Sequence, residues 1–168
     1  MVYDSFLNLV RENADTFTKD LIAEIRTRNE TRHYQKIPDQ MLYEQISQVI
    51  RNVSERMVSW LKKNKPKNTL FAYYSRVGAQ RCKEGVPLDE VVIVLMLIKR
   101  RIWHFVDANK LYTGYDLHEL MELNYYITLF FDRIIHSTIL GYHKQLGRII
   151  TENDPADDTL DRLFARHR

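Results

Sequence analysis

The sequence predicts an all-α protein with a single core and about six helices, the last of them long. Apolar residues recur at steps of three and four along most of the chain, and no segment alternates polar and apolar residues as a half-buried strand does. Five glycines and four prolines are too few for the many turns of an all-β protein. The 168 residues suit one domain that needs neither disulfides nor metal to hold its core.

The first three helices are predicted from the spacing of their apolar residues. A short helix spans 3–12, and Asp15 is predicted to cap a second helix of about 18 residues. The apolar pattern lapses around 28–36. The third helix has the clearest periodicity, over 42–61, and the basic segment that ends at Pro66 is expected to stop it.

The fourth and fifth helices are separated by a glycine and a proline. Thr69 is predicted to cap the fourth helix, and Gly85 is predicted to end it. Pro87 stands at or near the first position of the fifth helix. The middle of that helix, 91–98, is apolar on every side, which is typical of a helix buried all round or shared with a partner.

The sixth helix is the longest that the sequence predicts. Asp116 and Glu119 have the spacing of a capping box at its start, and it runs about 30 residues, to near Arg148, or about 45 Å. The predicted all-helical domain therefore covers 1–150. The remaining segment, 151–168, is expected to form a C-terminal tail or a short helix.

The same helix is apolar on more than one face, which gives it more surface than one small core can bury. An exposed apolar stripe marks an interface. A two-fold homodimer is the simplest closed arrangement that covers such a stripe. We expect the dimer interface to include Phe130, Phe131 and Ile134.

The sequence contains no motif of an enzyme or of a metal site. It has no glycine-rich phosphate loop and no Gly-x-Ser-x-Gly elbow, and Cys82 is expected to be a small core residue. His118 with Glu122, and Asp132 with His136, lie four apart on one helix. The Glu-x-x-His and His-Glu-x-x-His patterns of metal-binding helices do not occur. The sequence therefore predicts neither catalysis nor a bound metal.

Aromatic and histidine side chains leave two ligand hypotheses open. Tyr74, Trp103 and Tyr126 fall on helices expected to be buried, where such side chains border a small-molecule cavity or simply pack in the core. His104 or His136 is the candidate axial ligand of a haem-binding globin-type sensor. Our expectation is a domain without a cofactor, with haem as the alternative.

Charge and targeting signals restrict the partners and the cellular compartment of the protein. Lys and Arg number 25 and Asp and Glu number 22, and this surplus, without clustering, does not predict nucleic-acid binding. The N-terminus lacks the pattern of a signal peptide, and the longest apolar run is far shorter than the ~20 residues that span a bilayer. A single cysteine fits a reducing compartment. We expect a cytoplasmic protein that does not enter the membrane.

The segment Ser75–Glu90 resembles a signature of the N-terminal sensory domains of the RsbT co-antagonist (RsbR-type) family. In that signature a helix ends at a glycine, and a short start segment leads into an apolar helix with arginines, a tryptophan and a phenylalanine in order. The corresponding residues of this chain are Leu95, Leu97, Lys99, Arg100, Arg101, Trp103 and Phe105. The resemblance covers about 15–148 and includes the preceding helix, which ends in Trp60.

This resemblance implies a non-enzymatic sensory or regulatory domain with a globin-like fold, without haem and paired as a dimer. Such domains are attached to STAS or histidine-kinase output modules. Nothing of that size follows residue 148 here, so we expect either a stand-alone member that acts on such a partner or the sensor half of a longer protein. The family supplies no ligand residues.

The leading functional hypothesis is therefore a dimeric stress-response sensor that detects a small ligand or a partner protein and signals to an output protein. One alternative is the haem-binding globin-type sensor. The other is a helical adaptor or scaffold that binds no small molecule.

Overall fold

The computed structural model describes residues 2–61 and 68–153 and contains, within these ranges, six α-helices and no strand. The helices are α1 (Val2–Glu12), α2 (Ala14–Thr27), α3 (Asp39–Leu61), α4 (Asn68–Lys83), α5 (Leu88–Ala108) and α6 (Leu117–Asn153). Short 3-10 turns occupy Asn29–Thr31, Tyr34–Lys36 and Leu111–Gly114. The predicted all-α class is confirmed. The predicted basic end of the third helix, and most of the predicted tail, lie outside the described residues.

The core is built around α6, which packs against α1, α3, α4 and α5. The most extensive of these contacts is with α4. At 37 residues, α6 is about 55 Å long, so it passes through the whole bundle. Its central position explains why it is apolar on more than one face: different stripes meet different helices of its own protomer.

The start of α2 differs from the prediction. The helix begins at Ala14 after Asn13, so Asp15 lies inside the first turn and the predicted cap is wrong. Asn13 Nδ2 donates to the carbonyl of Leu9 in α1, 2.9 Å away. Asn13 is the single residue between α1 and α2. Asp15 instead accepts a hydrogen bond from the hydroxyl of Tyr43, at 2.7 Å. The helix has 14 residues, not 18, because it ends where the polar segment begins.

At α4 the predicted cap at the start is wrong, and the predicted end is confirmed. The helix begins at Asn68, so Thr69 lies within it and the predicted cap at Thr69 is wrong. Gly85 ends the helix as predicted, with a φ of +73° that other residues rarely adopt. The next amide, that of Val86, donates to the carbonyl of Arg81 at 3.1 Å, as in a Schellman motif.

The predicted capping box of α6 is confirmed. The amide of Glu119 donates to Asp116 Oδ1 at 2.8 Å, and the amide of Asp116 donates to Glu119 Oε2 at 3.4 Å. The helix continues to Asn153, beyond the predicted end near Arg148.

The basic run after the apolar middle of α5 is paired with carboxylates of its own chain. The pairs are Lys99 with Asp132 (4.0 Å), Arg100 with Glu24 (2.7 Å) and Arg101 with Asp20 (3.3 Å). Two of these pairs join α5 to α2. The middle of α5 is not buried all round, because Met96 is exposed. No helix in the described ranges is long and apolar enough to cross a bilayer.

Candidate functional site

A cavity of about 290 Å³ lies between α3, α4 and α5. The apolar part of its wall consists of Ile46, Val49, Val77, Val91, Val94, Leu95 and Ile98. The polar part consists of Tyr34, Glu44, Gln45, Gln48, Tyr73, Tyr74 and Arg81. Seven lining residues carry polar groups, yet most of the surface of the wall is apolar. A mostly apolar surface with a few polar groups is usual for a small-molecule site, so this cavity is the candidate site of the domain.

One face of α4 supplies the charged and aromatic side of the cavity. Tyr73, Val77 and Arg81 follow one another at steps of four, which places them in a row along the helix. Tyr74, the residue after Tyr73, also lines the cavity, beside this row. Its ring meets that of Tyr73 edge to face, with centroids 4.9 Å apart.

Tyr74 is fully buried and is held by a polar network that reaches α3. Asn52 Nδ2 donates to the Tyr74 hydroxyl at 3.0 Å, and Gln48 Nε2 donates to Asn52 Oδ1 at 3.2 Å. Burial raises the pKa of Tyr74, so its phenol is neutral at physiological pH. Gln48 also lines the cavity, and the network therefore connects two of its walls.

Arg81 places a cation in the cavity wall. The residue is only 8% exposed, and its guanidinium pairs with Glu84, three positions further along the chain. A guanidinium stays charged when buried. Burial raises the pKa values of Tyr34 and Tyr73, and the nearby Arg81 charge opposes this rise in both.

The segment before α3 brings Tyr34 to the cavity. Arg26 of α2 donates to the carbonyl of Tyr34 at 3.0 Å and to that of Gln35 at 2.6 Å. Glu90 of α5, itself buried, accepts from the amide of His33 at 2.8 Å and hydrogen-bonds with the His33 ring nitrogen Nδ1 at 2.7 Å. Two helices thus fix this turn from both sides.

A neighbouring face of α4 crosses α6 at backbone contact. A β-carbon at Gly78 would lie 1.9 Å from the carbonyl oxygen of Thr138, and one at Gly141 would lie 1.9 Å from that of Ser75. Real β-carbons do not approach so closely, so both positions require glycine. Helix α4 therefore forms a wall of the cavity on one face and touches the backbone of α6 on the adjoining face.

The structure brings only one of the three predicted cavity residues to this site. Tyr74 lines the cavity, whereas Trp103 and Tyr126 do not. Trp103 is partly buried against the core near the end of α5. Tyr126 packs edge-on against Tyr3 of α1, with ring centroids 5.4 Å apart.

The predicted contact residues of the dimer are corrected by their burial. Phe130, Phe131 and Ile134 have no exposed surface, since they pack in the core of their own protomer. Side chains without surface cannot meet a second copy of the folded chain. The exposed apolar residues of α6 are instead Leu117 (73% exposed), Met121 (63%), Tyr125 (60%) and Leu140.

The two candidate haem ligands and the cysteine lie outside the cavity wall. His104 and His136, the candidate haem ligands, are both exposed, and neither lines the cavity. Among the described residues, no group of three or more His, Cys, Asp or Glu side chains is placed to hold a metal ion. Cys82 is buried, as predicted, and burial raises the pKa of its thiol.

Sequence reasoning missed Tyr34 and Arg81. Tyr34 lies in the polar stretch where the helical pattern lapses, so no periodicity points to it. Arg81 did carry a signal, because it continues the row of Tyr73 and Val77 at steps of four. A cation in an inward-facing row is the feature that identifies it.

The chain matches no curated protein and no solved structure. A family profile, that of the RsbT co-antagonist protein rsbRD N-terminal domain, matches residues 15–156. The match begins in the first turn of α2, covers the rest of the chain through α6, and includes every residue that lines the cavity. It confirms the resemblance seen in Ser75–Glu90. The chain therefore belongs to the RsbT co-antagonist protein rsbRD N-terminal domain family, whose members are stressosome-associated regulatory domains.

Proposed function

We propose that the protein is a non-enzymatic sensor that works as a cytoplasmic homodimer, detects a small molecule in the cavity and relays its presence through α6. Membership of a regulatory family supports the signalling role. The observation that supports the sensing role is that α4 both lines the cavity and contacts the backbone of α6.

The relay follows from the packing on the two faces of α4. A closely packed interior transmits strain, because it has no free volume to absorb a displacement. At Gly78 and Gly141 no side chain separates the backbones of α4 and α6, so a shift of α4 must move α6 or break the crossing. A ligand drives this shift only as far as it binds the two arrangements with different affinity.

The exposed start of α6 is our proposed dimer interface. Leu117, Met121 and Tyr125 follow at steps of four and form one apolar stripe on the surface. Exposed apolar stripes mark interaction sites, and a two-fold dimer covers the same stripe on both copies. In such a dimer, a shift of α6 changes the setting of the two protomers.

The output partner that we propose is a STAS-domain protein or a histidine kinase. The family description, a co-antagonist of RsbT, supports a role within a signalling assembly. The C-terminal end of α6 leads the chain toward 154–168, and we propose that this end passes the change of setting to the partner.

Filling the cavity with a side chain tests the relay without a known ligand. Val49→Phe places a ring in the cavity from α3, whereas Met41→Phe adds one to the exposed side of the same helix. We expect Val49→Phe to change the hydrogen exchange of α6 amides around Thr138–Tyr142, although α6 does not line the cavity. Met41→Phe should leave these amides unchanged. If exchange changes only in α3, α4 and α5, the relay is wrong and the adaptor hypothesis gains support.

A further inference from the structure

We propose that the cavity binds a monocarboxylate with a compact apolar body, whose carboxylate is held by Arg81. This inference rests on the proposed sensing function and names the chemical class of its ligand.

The size and wall of the cavity define the body of the ligand. An apolar cavity of about 150 Å³ is enough to bind benzene, and this one has about 290 Å³. It therefore has room for an aromatic ring or a short branched chain with one substituent. Val49, Val77 and Ile98 supply apolar contacts from three different helices.

The charge of the cavity defines the head of the ligand. Among the described residues that line it, Arg81 is the one cation. Its guanidinium has five N–H donors, and its one hydrogen-bond partner among the described residues is Glu84, bound through Nη1. The remaining donors match the two oxygens of a carboxylate, which arginine binds in a bidentate manner.

A single negative charge fits this site better than none or two. A neutral apolar ligand would leave the N–H donors of Arg81 that Glu84 does not bind without an acceptor, and this is unfavourable at a residue that is only 8% exposed. A phosphate monoester brings nearly two charges, and the carboxylate of Glu44 in the wall repels the second.

Matched acids and amides test the proposal on the wild-type chain. Phenylacetate and 4-methylpentanoate are compared with phenylacetamide and 4-methylpentanamide by isothermal titration calorimetry, with phenyl phosphate as the dianion. We expect at least one acid to bind, and its amide to bind at least about 10-fold more weakly, since hydrogen bonds between charged groups are lost. Phenyl phosphate should bind more weakly than phenylacetate.

Arg81→Gln should weaken binding of the acid by about 10- to 100-fold and bring acid and amide to similar affinities. Arg76→Gln, which removes an exposed arginine from the same helix, should keep the preference for the acid. The acid–amide comparison in the wild type does not depend on whether Arg81→Gln folds.

Two results would overturn the assignment. If an amide binds as tightly as its acid, the cavity takes neutral ligands and the sensing function stands without the carboxylate. If neither acid binds, the ligand class is wrong. The exchange measurement on Val49→Phe uses no ligand, so failure of the relay is seen separately from failure of the ligand class.

Discussion

At the scale of single residues, Glu24 connects two helices through two arginines. Its Oε1 accepts hydrogen bonds from Arg28, the residue directly after α2, and from Arg100 of α5, the latter at 2.7 Å. Partial burial raises the pKa of Glu24, but the two guanidinium groups outweigh it and the net pKa is lowered. A carboxyl whose folded pKa is lowered stabilises the fold above its unfolded pKa, and this stabilisation is lost as the pH falls through the folded pKa.

Glu24→Gln should therefore destabilise the protein in a pH-dependent way. We expect a loss of about 1 kcal/mol in the free energy of unfolding at pH 7, since the ion pairs are partly exposed. The difference from wild type should shrink as the pH falls below the ordinary value of 4.5. Urea denaturation at pH 7, 5 and 3 measures it, with the exposed Glu12→Gln as control. A difference that is equal at all three pH values would show that charge plays no part.

At the scale of helices, spacing predicted the elements better than their junctions. The steps of three and four placed all six helices, because each turns at least one apolar stripe to the core. The start of α2 was misplaced, because Asn13 and Asp15 are both good capping residues, and the sequence does not show that Asn13 bonds to Leu9 and Asp15 to Tyr43. The crossing of α4 and α6 was not predicted. From the sequence alone, a glycine inside a helix indicates only a lower helix propensity, not close packing against another helix.

Gly78→Ala tests the crossing of α4 and α6. The added methyl group would lie 1.9 Å from the carbonyl oxygen of Thr138, a backbone atom that cannot rotate away. We expect a loss of about 3 kcal/mol in the free energy of unfolding, or failure to fold. The matched control is Gly147→Ala on α6, where a β-carbon meets nothing within 4 Å and the helix gains up to about 1 kcal/mol. Equal midpoints of thermal unfolding for the two variants would refute the close crossing.

At the scale of the whole molecule, the sequence predicted excess apolar surface on α6 but not its location. Phe130 and Phe131 are the largest apolar side chains of the helix, yet both are buried, because α6 is surrounded by four helices of its own protomer. Periodicity within one helix cannot show which stripe meets which neighbour. The cavity residues show the same limit of prediction. Tyr74 was predicted from the pattern of its own helix, whereas Tyr34 lies in a turn that only the tertiary fold brings near.

The dimer is tested on the stripe that the fold leaves exposed. Met121→Glu places a charge at the middle of the stripe that Leu117 and Tyr125 continue, so two carboxylates would face each other near a two-fold axis. We expect sedimentation velocity to give a dimer for the wild type and a monomer for Met121→Glu, with unchanged helicity. Met41→Glu makes the same change at an exposed methionine of α3 and should leave the dimer intact. A dimer that persists in Met121→Glu, or one lost equally in Met41→Glu, would place the interface elsewhere, because a carboxylate without a partner is not tolerated at the buried centre of an interface.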